Sequence, residues 1–167
     1  PAFEAQARRD GLTDFQVRPA GSRPLTSAIL FLEPLDWRNQ RAIGFDMYSE
    51  PTRREAMQWA ASTGGPALTG PVKLMQEAGK RVQPGTLLYL PIYRQEPRSE
   101  ADRLRRLEGW AYAPLRMEDL LRATLSSIRN PVLARSAVLV FDGSKPLASA
   151  LLFDSQKVHG TSRLQHP

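Results

Sequence analysis

The stretch SEPTRREAMQWAASTGG, residues 49–65, is the most clearly delimited element of this 167-residue sequence and organises the predicted fold. Ser49 and Glu50 are both helix-capping residues, and the proline that follows them suits the first helical turn, where its missing N–H is not needed. A Gly-Gly pair followed by proline ends the helix. Residues at helical spacing predict the face that packs against the core: Ala56, Trp59 and Ala60.

An acidic residue lies in the apolar sequence GFDMYSEP that leads into this helix. Asp46 is flanked by Phe45 and Met47, so the pattern predicts a carboxylate that is at least half buried, which ionised side chains resist. One explanation is a ligand that supplies a hydrogen-bond donor. The structural alternative is that Asp46 caps the helix or pairs with an arginine such as Arg53 or Arg54.

The remaining sequence predicts antiparallel strands with helices gathered between them. Helices are predicted over 2–12, 35–44, 99–107 and 116–128, and strands over 14–19, 27–34, 72–76, 86–94, 109–116, 136–143 and 148–155. The helix over 35–44 is expected to turn Leu35, Trp37 and Ile43 inward. The helix over 116–128 carries an apolar face of Met117, Leu120, Leu121 and Leu125. This order predicts an α+β fold, an antiparallel sheet with helices on one face.

Composition indicates one globular unit without a nucleic-acid partner. The chain is 41% hydrophobic and carries a net charge of +6. Its densest basic cluster, RSEADRLRRLEG, alternates with acids, which is typical of a solvated helix face rather than of a nucleic-acid interface. No run of about 18 apolar residues is present to cross a bilayer.

The motifs of common enzymes and metal sites are missing from the sequence. There is no phosphate-binding or dinucleotide-binding glycine pattern and no cysteine, and the two histidines, His159 and His166, lie in a polar C-terminal tail. We therefore predict no cofactor, no metal and no catalysis. An enzyme acting on a small metabolite stays an alternative that needs a catalytic dyad, and none can be assembled here.

Four segments in order resemble one known family. They are FEAQARRDGLTDFQVRPAGSRP, AILFLEPLDWRNQRAIGFDMYSEPTRREAMQWAASTGGPALTGPVKLMQE, LLYLPIYR and LEGWAYAPLRMEDLL, and they span Phe3 to about Leu121. Together they are similar to the CHASE domain, the extracytoplasmic sensor module of bacterial receptor kinases and diguanylate cyclases and of the plant cytokinin receptors.

The resemblance implies a stalk helix followed by two PAS-like lobes, with the ligand in the membrane-distal lobe. The sequence as given looks like a fragment that begins after the stalk and after the first strand of the family. We assign 1–95 to the distal lobe, 96–153 to a smaller membrane-proximal lobe and 154–167 to a polar linker or tail. The strand over 109–116 is a candidate to complete the distal sheet.

The same resemblance implies a ligand site. Asp46 stands where cytokinin-binding members bind the ligand heterocycle, and Leu68 and Thr69 match a family backbone contact. Leu90 replaces a pocket aromatic, and bulky residues stand where the plant receptors have a glycine pair, which argues against an adenine-type ligand because packed interiors accept little extra volume. The predicted ligand-binding residues are Asp46, Leu68, Thr69, Tyr89, Leu90, Trp110, Tyr112 and Ala113.

Structural alternatives apply to several of these residues. Trp110 and Tyr112 share one face of a strand and are candidates for one-sided core packing. Tyr89 could brace the sheet, and Thr69 could cap a turn beside a glycine. Trp59 is expected in the core.

These observations predict a non-enzymatic sensor of a small polar ligand. It would be the periplasmic portion of an inner-membrane receptor, held by flanking membrane helices, homodimeric in the full receptor, with a histidine kinase or diguanylate cyclase elsewhere in the protein. The alternative is a dimerisation or protein-interaction domain whose pocket has collapsed, which Trp110 and Tyr112 favour.

Overall fold

The computed structural model describes residues 2–74, 85–128, 132 and 136–156 and shows an α+β fold with antiparallel sheets, as the sequence predicts. The α-helices in these residues are Ala2–Arg9 (α1), Pro51–Thr63 (α2), Glu100–Arg106 (α3) and Met117–Ser127 (α4). The strands are Ala67–Leu68 (β1), Gly85–Tyr93 (β2), Leu107–Arg116 (β3), Leu139–Phe141 (β4) and Leu151–Asp154 (β5).

The larger sheet has the order β1-β2-β3 and is antiparallel throughout. Its register sets Tyr89 opposite Tyr112 and Pro91 opposite Trp110, so these residues share one face. That inner face packs on α2, and the core between them contains Leu87, Met57 and Ala60. The predicted strands over 86–94 and 109–116 are confirmed as this hairpin-like pair.

The helix predicted from SEPTRREAMQWAASTGG is confirmed as α2. The Glu50 carboxylate accepts hydrogen bonds from the backbone N–H groups of Thr52 (3.1 Å) and Arg53 (2.9 Å), and Gly64 closes the helix in the left-handed region at φ 80°. Ala60 is fully buried, as expected. The prediction for Trp59 is wrong, because 65% of this residue is exposed.

The strands predicted over 14–19 and 27–34 are wrong. Each segment makes a single isolated bridge to the sequence before α2, Arg18 to Phe45 and Ala28 to Asp46. Since the chain enters a 3₁₀ turn at Met47, the ladder with 27–34 has no further partner there and stops. Phe31, expected in a buried strand, is 79% exposed.

The helix predicted over 35–44 is reduced to a 3₁₀ turn at Asn39–Ala42. Asp36 lies near its start, where its Oδ1 accepts from the N–H groups of Arg38 (2.9 Å) and Asn39 (2.8 Å). The expected inward positions of Leu35 and Trp37 are wrong: both point to solvent. A 3₁₀ turn this short buries side chains on one side only, and Ala42 is the residue buried there.

The C-terminal half contains the second sheet, in which β4 pairs antiparallel with β5 and confirms the predicted hairpin. Helix α4 confirms the predicted amphipathic helix, and the guanidinium of Arg122 on it lies 5.7 Å from the ring centroid of Phe153 on β5. The strand predicted over 72–76 is seen only as a bridge from Val72 to Gly85, since 75–84 lie outside the described residues. The tail from 157, with both histidines, also lies outside them.

Helix α3 begins at a cluster of ion pairs around Asp102. Ser99 caps the helix, and the Asp102 carboxylate contacts Nε of Arg106 at 2.7 Å and the backbone N–H of Arg98 at 3.0 Å, with Arg105 at 3.1 Å. The hydrogen bond from Arg106, followed by that from Arg98, lowers the pKa of Asp102 to about 2. The charged carboxylate is thus the form that the fold prefers.

Lowering the pH is expected to weaken the interactions of Asp102 at the start of α3. The pKa of Asp102 is about 2 in the folded chain, below the value of about 3.9 of an unfolded aspartate. Its stabilising contribution is therefore complete above about pH 4 and is lost as the pH falls towards 2. Urea unfolding of the wild type and of Asp102→Asn at about pH 7 and about pH 3 measures this, and the gap between their midpoints should narrow at the lower pH. A gap independent of pH would contradict the assignment.

Candidate functional site

An open cleft of about 1300 Å³ runs along α2. Its lining comes mainly from α2, from the segment around β1, from the C-terminal half of α3 and from the start of β3. The lining residues are Leu25, Tyr48, Thr52, Glu55, Ala56, Gln58, Trp59, Ala61, Ser62, Pro66, Ala67, Leu68, Thr69, Gly70, Pro71, Leu104, Leu107, Trp110 and Asp142. Small-molecule sites are concave, with typical volumes of about 300–1,000 Å³, so this open cleft has more than enough room for a small ligand.

Large apolar side chains stand exposed along this cleft. Trp59 is 65% exposed on α2, Leu68 is 59% exposed on β1 and Leu104 is 59% exposed on α3. Single exposed apolar residues are common on protein surfaces, but several in one concavity mark a contact surface. These side chains can therefore bury the apolar part of a ligand.

One end of the cleft is shaped by two aromatic residues. Tyr48 and Trp110 are tilted against each other with ring centroids 6.1 Å apart. The indole Nε1 of Trp110 donates to the carbonyl of Met57 at 3.0 Å, and the Tyr48 hydroxyl accepts from Nε2 of Gln58 at 2.9 Å. These bonds fix both rings before any ligand arrives, which lowers the entropy cost of binding.

The cleft also carries polar groups. Thr52, Glu55 and Gln58 on α2 contribute a hydroxyl, a carboxylate and an amide, and Asp142 contributes a second carboxylate near Gly70. A few convergent polar groups in an otherwise apolar cleft are what orients a bound small molecule.

Leu68 and Thr69, two of the predicted ligand-binding residues, line the cleft and differ in exposure. The Thr69 hydroxyl accepts from the N–H of Leu87 at 2.9 Å and lies 3.2 Å from the hydroxyl of Thr86. Its N–H donates to the Leu87 carbonyl at 2.9 Å. Thr69 therefore holds the β1 segment on β2, while the exposed side chain of Leu68 is free to contact a ligand.

Asp46 lies outside the cleft lining and is fully buried. Its Oδ1 accepts from the N–H groups of Ser27 (2.9 Å) and Tyr48 (3.1 Å), and its Oδ2 lies 3.2 Å from Nη1 of Arg23. The carboxylate thus caps the 3₁₀ turn Met47–Ser49 rather than α2. Its ionic partner is Arg23, and neither Arg53 nor Arg54.

The other predicted site residues divide between the two faces of the larger sheet. Tyr89 is 1% exposed on the inner face, and its ring centroid is 6.1 Å from that of Tyr112. Leu90, which is 49% exposed, and Ala113 lie on the outer face. Of the predicted ligand-binding residues, the structure brings Leu68, Thr69 and Trp110 together in the cleft.

Sequence reasoning missed the α2 side of the cleft. At about 100° per residue, Trp59 falls about 60° outside Ala56, at the edge of the buried stripe rather than within it. The polar neighbours Glu55 and Gln58 on the same side of the helix were the available signal for an exposed Trp59.

Within residues 2–74, 85–128, 132 and 136–156, no group of three or more His, Asp or Glu side chains is arranged to hold a metal ion. The helices of that same part of the chain are too short or too polar to cross a membrane.

Comparison with known proteins identifies one family. Residues 1–153 match the model of the CHASE domain, which is most of the chain. No curated protein matches the chain significantly.

Proposed function

The chain belongs to the CHASE domain family, and we propose that it senses a small polar molecule bound in the cleft beside α2. CHASE domains are extracytoplasmic sensor modules of receptors and are not themselves catalytic. The observation that carries this proposal is the cleft itself, with Trp59 and Leu68 exposed on its walls and polar side chains beside them.

The proposed receptor spans the bacterial inner membrane, with this domain in the periplasm. The sheet β1-β2-β3 would form the distal PAS-like lobe, residues 1–95 with the strand over 109–116, and the β4-β5 sheet would belong to the proximal lobe within 96–153. Ligand binding would favour one of two arrangements of a homodimer in proportion to its differential affinity for them. The output module, a histidine kinase or diguanylate cyclase, would follow elsewhere in the protein.

The position of α2 between the core and the cleft supports this mechanism. One side of the helix, with Met57 and Ala60, is packed in the core against the sheet, and the side with Trp59 lines the cleft. A ligand that contacts Trp59 therefore acts on an element that is tied to both the sheet and α3, whose Arg103 donates to the Ser62 carbonyl at 2.8 Å. Movement of α2 would therefore be transmitted to both the sheet and α3.

Replacement of Trp59 by alanine is expected to weaken ligand binding at least about tenfold, because an exposed aromatic wall residue supplies a large share of contact area. A library of amino acids, amines, purines and carboxylates is screened by thermal shift, and the affinity of each compound found is then measured by calorimetry. A compound at a hundred times its Kd should stabilise the wild type by about 2.7 kcal/mol.

Trp37→Ala is the matched control for this experiment. Trp37 is 61% exposed, similar to Trp59, but stacks on Arg38 and does not line the cleft. Its replacement should leave ligand affinity unchanged. Equal losses in both variants, or no compound that shifts the melting temperature, would count against the proposal.

A second candidate function is dimerisation through the outer face of the larger sheet. The observation that favours it is an exposed apolar face at Leu68, Leu90 and Ile92, which are 59%, 49% and 46% exposed. Sedimentation of the wild type and of a Leu90→Glu, Ile92→Glu variant separates the two functions. A dimer that dissociates in the variant, without any ligand response in the wild type, would favour a structural role.

A further inference from the structure

Three polar atoms in the core between α2 and the sheet have no hydrogen-bond partner among the described residues. They are Nε of Arg53 and the hydroxyl oxygens of Tyr89 and Tyr112, and all three are buried. Buried polar groups in proteins are nearly always hydrogen-bonded, because leaving one unpaired is costly. Three such atoms in one region call for an additional partner.

The three side chains belong to one cluster. Tyr89 and Tyr112 face each other across β2 and β3 with ring centroids 6.1 Å apart. Arg53 lies on the buried side of α2, is 3% exposed and interacts electrostatically with both tyrosines. Its guanidinium is held 4.9 Å from the ring centroid of Phe45.

The remaining contacts of Arg53 fix the guanidinium without using Nε in a hydrogen bond. Nη1 donates to the sulfur of Met47 at 2.9 Å, and Nη2 donates to the carbonyl of Lys73 at 2.7 Å. The nearest carboxylate, that of Glu50, is 3.8 Å from Nε and already accepts two backbone N–H groups at the start of α2. Nε is therefore a donor held in place.

Both tyrosines are donors at neutral pH. Burial raises the pKa of Tyr112 to about 12, and burial raises the pKa of Tyr89 as well. Their hydroxyl groups therefore keep their protons. Arg53 has donors alone, and the tyrosine hydroxyls can donate as well as accept, so the three unpaired groups have no ionised acceptor within hydrogen-bond distance among the described residues.

We propose that Arg53, Tyr89 and Tyr112 form a buried subsite for the carboxylate group of the sensed molecule. A carboxylate has two oxygens that can accept the unpaired donors, and a hydrogen bond between ionised partners is about twice as strong as a neutral one. This inference rests on the proposed sensor function and names the chemical class of its ligand.

The subsite adjoins the cleft. Ala56, one helical turn from Arg53, and Trp110, the next residue on the same sheet face as Tyr112, both line the cleft and both pack on the core that holds the cluster. A molecule whose apolar part lies against Trp59 would direct its carboxylate between these two residues.

The test uses the full 167-residue chain with defined probes. Acetate and benzoate are compared with acetamide and benzamide, which keep the shape and remove the charge, by calorimetry and thermal melting. The test variant is Tyr89→Phe, Tyr112→Phe. The control is Tyr93→Phe, because the Tyr93 hydroxyl already has a partner, the Ala61 carbonyl at 2.8 Å.

The expected result is that at least one carboxylate binds and raises the melting temperature, with the matching amide at least about tenfold weaker. The double variant should lose at least about tenfold in carboxylate affinity, while its unliganded melting temperature stays the same or rises, since two unpaired hydroxyls are removed. The Tyr93→Phe protein should bind as the wild type does. If the double variant does not fold, Tyr89→Phe and Tyr112→Phe are each compared with the wild type in the same way.

The absence of carboxylate binding at about 10 mM, or equal binding by the double variant, would overturn the subsite. These results are distinguishable from failure of the sensor function. A compound whose affinity depends on Trp59 and not on the two tyrosines would leave the sensor function standing and remove only the carboxylate assignment.

Discussion

Replacement of Asp46 by alanine is expected to destabilise the fold by about 3 kcal/mol, near the lower limit for breaking a buried ion pair because Arg23 is partly exposed. In the variant, the N–H groups of Ser27 and Tyr48 lose their hydrogen-bond acceptor, and Arg23 loses its carboxylate partner. The 3₁₀ turn that Asp46 caps leads directly into α2, so the loss reaches the element that carries the cleft. Urea unfolding of the wild type and the variant measures the effect.

Asp46→Asn is the matched control, because the amide oxygen still accepts from both backbone N–H groups while the charge is removed. Its cost should be smaller, about 1–2 kcal/mol. A loss below about 1 kcal/mol for the alanine variant would contradict the structural role of Asp46. So would a stable alanine variant that has lost its ligand, since this would make the carboxylate a binding group.

Replacement of Gly44 by alanine is expected to cost more than about 3 kcal/mol, since a steric clash is added to backbone strain. Gly44 has φ 81°, and a Cβ there would collide with the carbonyl oxygen of Gln16. The backbone cannot easily move away, because Gly44 N–H donates to the Ile29 carbonyl (2.9 Å) and its own carbonyl accepts from Arg18 N–H (2.8 Å). Thermal and urea unfolding measure the loss.

Gly143→Ala is the control that measures the cost of backbone strain without the steric clash. Gly143 has a similar φ of 87°, but a Cβ there would meet no atom of the described residues within 4 Å. Its replacement should cost only about 1 kcal/mol. Similar losses at the two glycines would show that the close approach of Gly44 to Gln16 does not exist in solution.

Local signals in the sequence were sufficient to predict α2 and the strand pair β2-β3. A cap at Glu50 and a stop at Gly64 define the helix, and an uninterrupted apolar run defines β2. Such elements are specified by a few neighbouring residues, so a single sequence reveals them. The same holds for the β4-β5 hairpin.

The segment before α2 could not be predicted in the same way. The run Ala28–Leu32 has the composition of a buried strand, but strand formation depends on a partner that continues the ladder. Its partner turns at Met47, and one bridge at Ala28 remains. That information lies in the tertiary structure.

The site was predictable only in part for a similar reason. Leu68, Thr69 and Trp110 were placed by resemblance to the family and lie at the cleft. The environment of Asp46 depends on Arg23, which is 23 residues away in a loop of little pattern, so the sequence offered closer arginines as partners. The exposure of Trp59 depends on which side of α2 the sheet covers.

Chemical-shift mapping of the ¹⁵N-labelled chain with the tightest-binding compound shows whether the ligand occupies the cleft beside α2. We expect the largest changes on the backbone amides of 52–62 and 68–70 and on the indole N–H of Trp110, with Arg23 and Ser27 little affected. Changes centred on Arg23 and Ser27, the partners of Asp46, with the α2 amides unmoved, would contradict it.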